Sequence, residues 1–210
     1  MHSPFSVIGG FFLRALFWLG LLLALWYWQR DWITAPVSWL AGLAMESIFP
    51  AWVSGAEHDH GLAILLTRIQ VFVDGRMGEL SPEVRILPYC YGLPLYAALL
   101  LASRARGLWW KLPLGALPIL VFQAWGVSFN WLLQIAIHMS SLSAAATGFS
   151  ELQVNLIGLG YQLGYLLFPT MLPFLLWLWL ERAFITTVAV DGAMDGALSA
   201  ATKQDDRAAD

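Results

Sequence analysis

Residues 112–138 read LPLGALPILVFQAWGVSFNWLLQIAIH, a run without a single Asp, Glu, Lys or Arg. A hydrocarbon layer about 30 Å thick is crossed by about 20 mostly apolar helical residues. This run exceeds that length, so it should tilt, or begin or end in the membrane interface. Pro113 and Pro118 crowd its start, where missing backbone donors cost least. Three further segments are long and apolar enough to cross: 12–28, 86–102 and 156–180. Pro169 and Pro173 fall inside the last and predict a kink there. The expected fold class is therefore an all-α integral membrane bundle of about four transmembrane helices.

Composition points the same way. The chain has 210 residues, 59% of them hydrophobic and 12% charged, whereas a soluble domain carries about 25% charged residues. The net charge of −3 and the lack of a basic run exclude nucleic acid as an expected partner and leave membrane lipid. One bundle over 1–190 is expected, followed by a polar tail, 191–210, that is poor in large apolar residues and expected to be disordered. Cys90 is the single cysteine, so no intramolecular disulfide can form. The first apolar run ends in Trp26, Tyr27 and Trp28, an interfacial belt that reads as a retained anchor and not a cleaved signal.

Orientation follows from the basic residues of the short connections. SRARGLWWK carries Arg104, Arg106 and Lys111 without an acid, whereas 139–155 has no Lys or Arg. The first connection is expected in the cytoplasm and the second outside. Both termini are then cytoplasmic, with 31–85 external, in the inner membrane of a bacterium. Arg182 agrees; Arg30, Arg68, Arg76 and Arg85 dissent, three of them accompanied by acids.

The external segment should carry structure of its own. Residues 36–49 suit either a separate amphipathic helix on the membrane or an extension of the first span. Ala63, Leu65, Thr67, Ile69, Val71 and Val73 alternate with a face holding Arg68, Gln70 and Asp74. Such a period-2 pattern predicts strand, and Asp74-Gly75 suits a tight turn. A small β element between spans 1 and 2 is expected, packed on the bundle mouth.

Gln123, Asn130, Gln134 and His138 are spaced seven, four and four residues apart. At about 3.6 residues per turn they share one helix face. Polar groups facing acyl chains are costly, so the stripe should turn into the bundle or a wet cavity. It serves there either as interhelical hydrogen bonding or as a binding groove for a peptide or partner helix. On the fourth span Tyr161, Gln162 and Tyr165, beside Gly158, Gly160 and Gly164, could pack against it. Tyr89, Tyr91 and Tyr96 read as interfacial anchors near the outer end of the second span. Cys90 and His138 fall on the same external side, which permits a nucleophile and a base, but buried cysteines are commonly simple packing residues. Glu57, His58, Asp59 and His60 read as a solvated loop, with too few ligands for a closed metal site. No cofactor is expected.

The β stretch running into Cys90-Tyr91-Gly92 at the start of a membrane helix resembles the exosortases and archaeosortases, multi-span transpeptidases that process C-terminal sorting tails with a Cys, an Arg and a His. Over nearly the whole chain the resemblance is to the small exosortase H-associated membrane proteins. It rests on LPYCYGLPLYAALLLASRARG, VFQAWGVSFNWLLQ, AATGF and LGYQLGYLLFP. Of the exosortase trio only Cys90 carries over. Leu133 stands where the N-x-x-R pattern starting at Asn130 would place Arg, and 139–155 holds no His. The resemblance thus implies a non-catalytic accessory protein that binds the sorting enzyme or its substrate's transmembrane tail, through Gln123, Asn130, Gln134, His138, Tyr161, Gln162 and Tyr165. The alternative is a membrane-embedded cysteine transpeptidase or protease with Cys90 as nucleophile and His138 as base. A transporter-like or purely structural bundle is the weakest reading, because the spans carry no intramembrane carboxylate and no inverted repeat.

Overall fold

A computed structural model of the chain describes residues 4–73, 76–184 and 186. The tail expected to be disordered and the turn residues Asp74 and Gly75 lie outside the described residues. The fold is mostly helical with a small sheet region. Among the described residues three helices are long and apolar enough to cross a membrane: Gly9–Trp28, Leu108–His138 and Glu151–Leu180. The remaining expected segment forms a shorter apolar helix, Leu87–Ala102.

Helix α1 (Pro4–Trp28) is peripheral. Phe12, Leu13, Leu16, Phe17, Leu21 and Leu25 are exposed along it, as befits a helix bathed in acyl chains. The short apolar helix is broken at Tyr91 into α3 (Leu87–Cys90) and α4 (Gly92–Ala102). No residue of α4 is exposed, because α1, α5 (Leu108–Leu133) and α8 (Phe168–Leu180) surround it. A helix apolar on every side belongs in such a centre. At 1.5 Å per residue the α3–α4 stretch is roughly 24 Å long. Its N-terminal end meets the sheet directly, where the Ile86 N–H donates to the Gly61 carbonyl at 3.0 Å.

After a break at Gln29 the chain enters α2 (Arg30–Ile48), a helix in its own right that packs on the sheet and on α5. Its buried stripe, Thr34, Val37, Ser38, Ala41, Gly42 and Met45, follows the helical repeat. Gly42 is required there: a Cβ would lie 2.7 Å from that of Ala56. Strands β1 (Val53–Asp59), β2 (Leu62–Thr67) and β5 (Glu83–Arg85) form an antiparallel sheet in the order β1-β2-β5. Strands β3 (Gln70–Val73) and β4 (Arg76–Glu79) form a separate hairpin. The alternation predicted for β2 holds, with Ala63, Leu65, Thr67 and Ile69 buried.

Glu57–His60, expected as a loop, is instead the end of β1 and the start of its turn. The turn residues His60 and Gly61 have φ of 44° and 82°, the positive pair that a two-residue hairpin requires. His58 is half-buried with Nε2 3.4 Å from Thr34 Oγ1, whereas His60 is exposed, Nδ1 2.5 Å from Asp59 Oδ1. The Asp59 hydrogen bond and charge raise the His60 pKa above its ordinary value. Among the described residues no three His, Cys, Asp or Glu side chains gather as a metal site.

Both long C-terminal helices contain a π-helical turn, Gln134–His138 and Leu163–Leu167. The second immediately precedes Phe168-Pro169, where the kink was expected; proline there cannot donate, and the wider turn absorbs the break. Helix α6 (Ser140–Thr147) leads to α7 (Glu151–Gln162). A capping box opens α7: Ser150 Oγ accepts from the Gln153 N–H, and Gln153 Oε1 accepts from the Ser150 N–H at 2.8 Å.

Candidate functional site

The polar stripe of α5 lies where the bundle meets the sheet. Gln134 donates through Nε2 to the Glu83 carbonyl and to Asn130 Oδ1, both at 2.8 Å. Asn130 in turn donates through Nδ2 to the Tyr89 hydroxyl oxygen at 2.6 Å. One residue on, the buried Trp131 indole N–H donates to the Ala63 carbonyl of β2 at 3.2 Å. These bonds tie α5 to β5, α3 and β2, so Asn130 and Gln134 serve the fold from within.

Tyr89 extends the network sideways. Its ring meets Tyr165 edge-on at 5.6 Å between centroids, and Tyr165 stacks on Tyr161 at 5.7 Å. The expected packing of the third and fourth spans around these groups is therefore present. It is made possible by glycines at the crossing: a Cβ on Gly164 would lie 2.7 Å from Gly126 Cα, and one on Gly160 would strike the Phe129 ring. Gly158 faces open space. Tyr96, taken as an outer anchor with Tyr89, is buried toward the other end, donating its hydroxyl to the Lys111 carbonyl at 2.7 Å.

The other stripe residues part company. Gln123 is 4% exposed, and neither its amide oxygen nor its nitrogen has a partner among the described residues. His138 is exposed; it ends the π-helical turn, whose greater number of residues per turn departs from the 3.6-residue register assumed for one face. Gln162 is also exposed, without a hydrogen bond among the described residues, beside Tyr161 and the exposed Tyr165.

Cys90 has no exposed surface. It sits in the core with Val84, Ile86, Val127 and Trp131, and no hydrogen bond among the described residues joins it to His138. A thiolate nucleophile needs access and a nearby base or cation. The geometry gives the peptidase alternative no support. A side chain that sequence reasoning used only for orientation proves structural: Lys111 is buried and paired with Glu181, which fastens the start of α5 to the end of α8.

The family model for the exosortase H-associated membrane proteins matches residues 5–184. The chain belongs to that family. No curated protein and no solved structure matches it. As an exosortase H-associated membrane protein with apolar helices of this length, it is a multi-pass membrane protein linked by family to exosortase systems. Within the span covered by the exosortase H-associated family lie the polar side chains of this site, from Tyr89 to Glu181.

Proposed function

We propose that this protein is a non-catalytic accessory subunit of an exosortase-type sorting system in the bacterial inner membrane, where it binds the sorting enzyme or the transmembrane tail of its substrate. Residues 1–190 act as one bundle of four spans, α1, α3–α4, α5 with its π-helical turn, and α7–α8. Both termini are cytoplasmic, and the sheet is external. The exposed Arg104 and Arg106 support that orientation. Lys111 counts for less, since Glu181 neutralises it.

Gln162 carries the reading. A polar amide turned outward from an apolar span is expensive in lipid, and a neighbouring transmembrane helix relieves the cost by hydrogen bonding to it. Tyr161 and Tyr165 flank it, and Asn130 holds Tyr89 against Tyr165 from beneath. Gln134 supports Asn130 in turn, and His138 lies toward the sheet end of the same assembly. Gln123 is enclosed deeper in the bundle.

Co-purification with the sorting enzyme and a tail-bearing substrate tests this. Gln162→Leu should accumulate normally yet lose the partner, and Cys90→Ala, which removes the thiol without burying a hydroxyl, should retain both abundance and partner. Undiminished co-purification by Gln162→Leu sinks the proposed contact; loss of sorting in an abundant Cys90→Ala protein sinks the non-catalytic assignment.

A further inference from the structure

Between α2 and α7, with α5 as its floor, lies a cavity of about 260 Å³. Ala44, Met45, Ile48 and Phe49 form one wall, Leu156 and Ile157 the other. The side opening runs past Ile48 and Leu156, both exposed. At one end Phe149 closes the gap, its ring 6.1 Å from that of Phe49 and 6.5 Å from that of Trp52.

The floor holds an unused donor. Ser128 is 8% exposed, and its hydroxyl has no partner among the described residues. Other helical hydroxyls find an acceptor: Thr34, Ser47, Ser103, Ser143, Thr147 and Thr170 donate to the carbonyl four residues earlier, Thr186 to the one three earlier, and Ser38 to the Glu57 carbonyl of β1. A buried hydroxyl left unsatisfied costs about 1–3 kcal/mol, so the missing acceptor is expected from whatever fills the cavity. A helix, about 10–12 Å across with its side chains, is too wide for walls that converge to ring contact. A single hydrocarbon chain fits them.

We infer that this slot binds one acyl chain of an ester-linked phospholipid, with its ester carbonyl accepting from Ser128 Oγ. The apolar walls hold the methylenes, and the hydroxyl selects a chain that carries an acceptor at its head. The site lies on the α7 face of Gln153, Leu156 and Ile157, opposite Gln162, so it stands independently of the partner contact at Gln162.

The test uses the full-length protein in nanodiscs of phosphatidylglycerol and phosphatidylethanolamine, released for native mass spectrometry to count retained lipid. Wild type should keep one ester phospholipid and hold its ether-linked analogue roughly fivefold more weakly, the worth of one neutral hydrogen bond. Ser128→Ala should bind the two lipids equally, and Ala44→Phe, which fills the slot from its rim, should retain neither. A photoreactive side chain at Ile48 should cross-link to lipid in cells. Equal retention of ester and ether lipid by wild type overturns the inference. So does retention by a folded Ala44→Phe protein, or a cross-link at Ile48 to a protein chain.

Discussion

Asn130 uses its amide on both sides, donating to Tyr89 and accepting from Gln134. Asn130→Leu should therefore destabilise more than Tyr89→Phe, which breaks one of the two bonds. Interhelical hydrogen bonds in membranes average about 0.6 kcal/mol and reach about 1.7. Thermal unfolding in detergent should show Tyr89→Phe near the lower figure and Asn130→Leu larger, toward the upper one; equal effects would mean that the bond to Gln134 contributes nothing. Residues such as Asn130 and Gln134 were legible because helical spacing fixes which side chains share a face. His138 was not, since nothing in QIAIH announces a π-helical turn. The burial of Cys90 was equally hidden, because LPYCYG is apolar on either side of it and cysteine suits a core as readily as a surface.

Among elements, the crossing of α5 with α7 and the π-helical turn that follows it depends on backbone contact. Gly164 approaches Gly126 so closely that a methyl group has no room, whereas Gly158 meets nothing. Gly164→Leu should abolish accumulation of the folded protein, and Gly158→Leu should leave it near wild type, as read by fluorescence-detected size exclusion. Normal profiles for both would show that the crossing yields easily. Small residues near the spans pointed to this contact, yet only the structure separates the glycine that touches from the one that does not. Strand β2 was readable because Ala63, Leu65 and Thr67 alternate with outward residues. Strand β1 was not: its side chains toward α2 are Ala56 and His58, too small or too polar to give an apolar rhythm. The shortness of α3–α4 becomes intelligible once α4 is seen at the centre, away from the acyl chains.

For the molecule as a whole, hydropathy fixes the class, since long uncharged runs have few alternatives to a bilayer. What closes the bundle is less visible: Lys111 and Glu181 stand 70 residues apart and meet in a buried ion pair. Removing one partner of such a pair costs about 3–5 kcal/mol, whereas replacing both with apolar residues is often neutral. Lys111→Met and Glu181→Leu should each lower thermal stability sharply, and the double variant should recover most of it. Additive losses would show that the side chains matter separately. The ties between sheet and bundle bear also on how the chain is made. Trp131 reaches back 68 residues to Ala63, and Gln134 reaches back 51 to Glu83. The sheet emerges from the ribosome well before the helix that anchors it, so it waits for α5 to insert before its final bonds can form. A nascent chain halted before Trp131 should leave the β1–β2 hairpin open to protease, and protection should begin only once synthesis has passed Gln134.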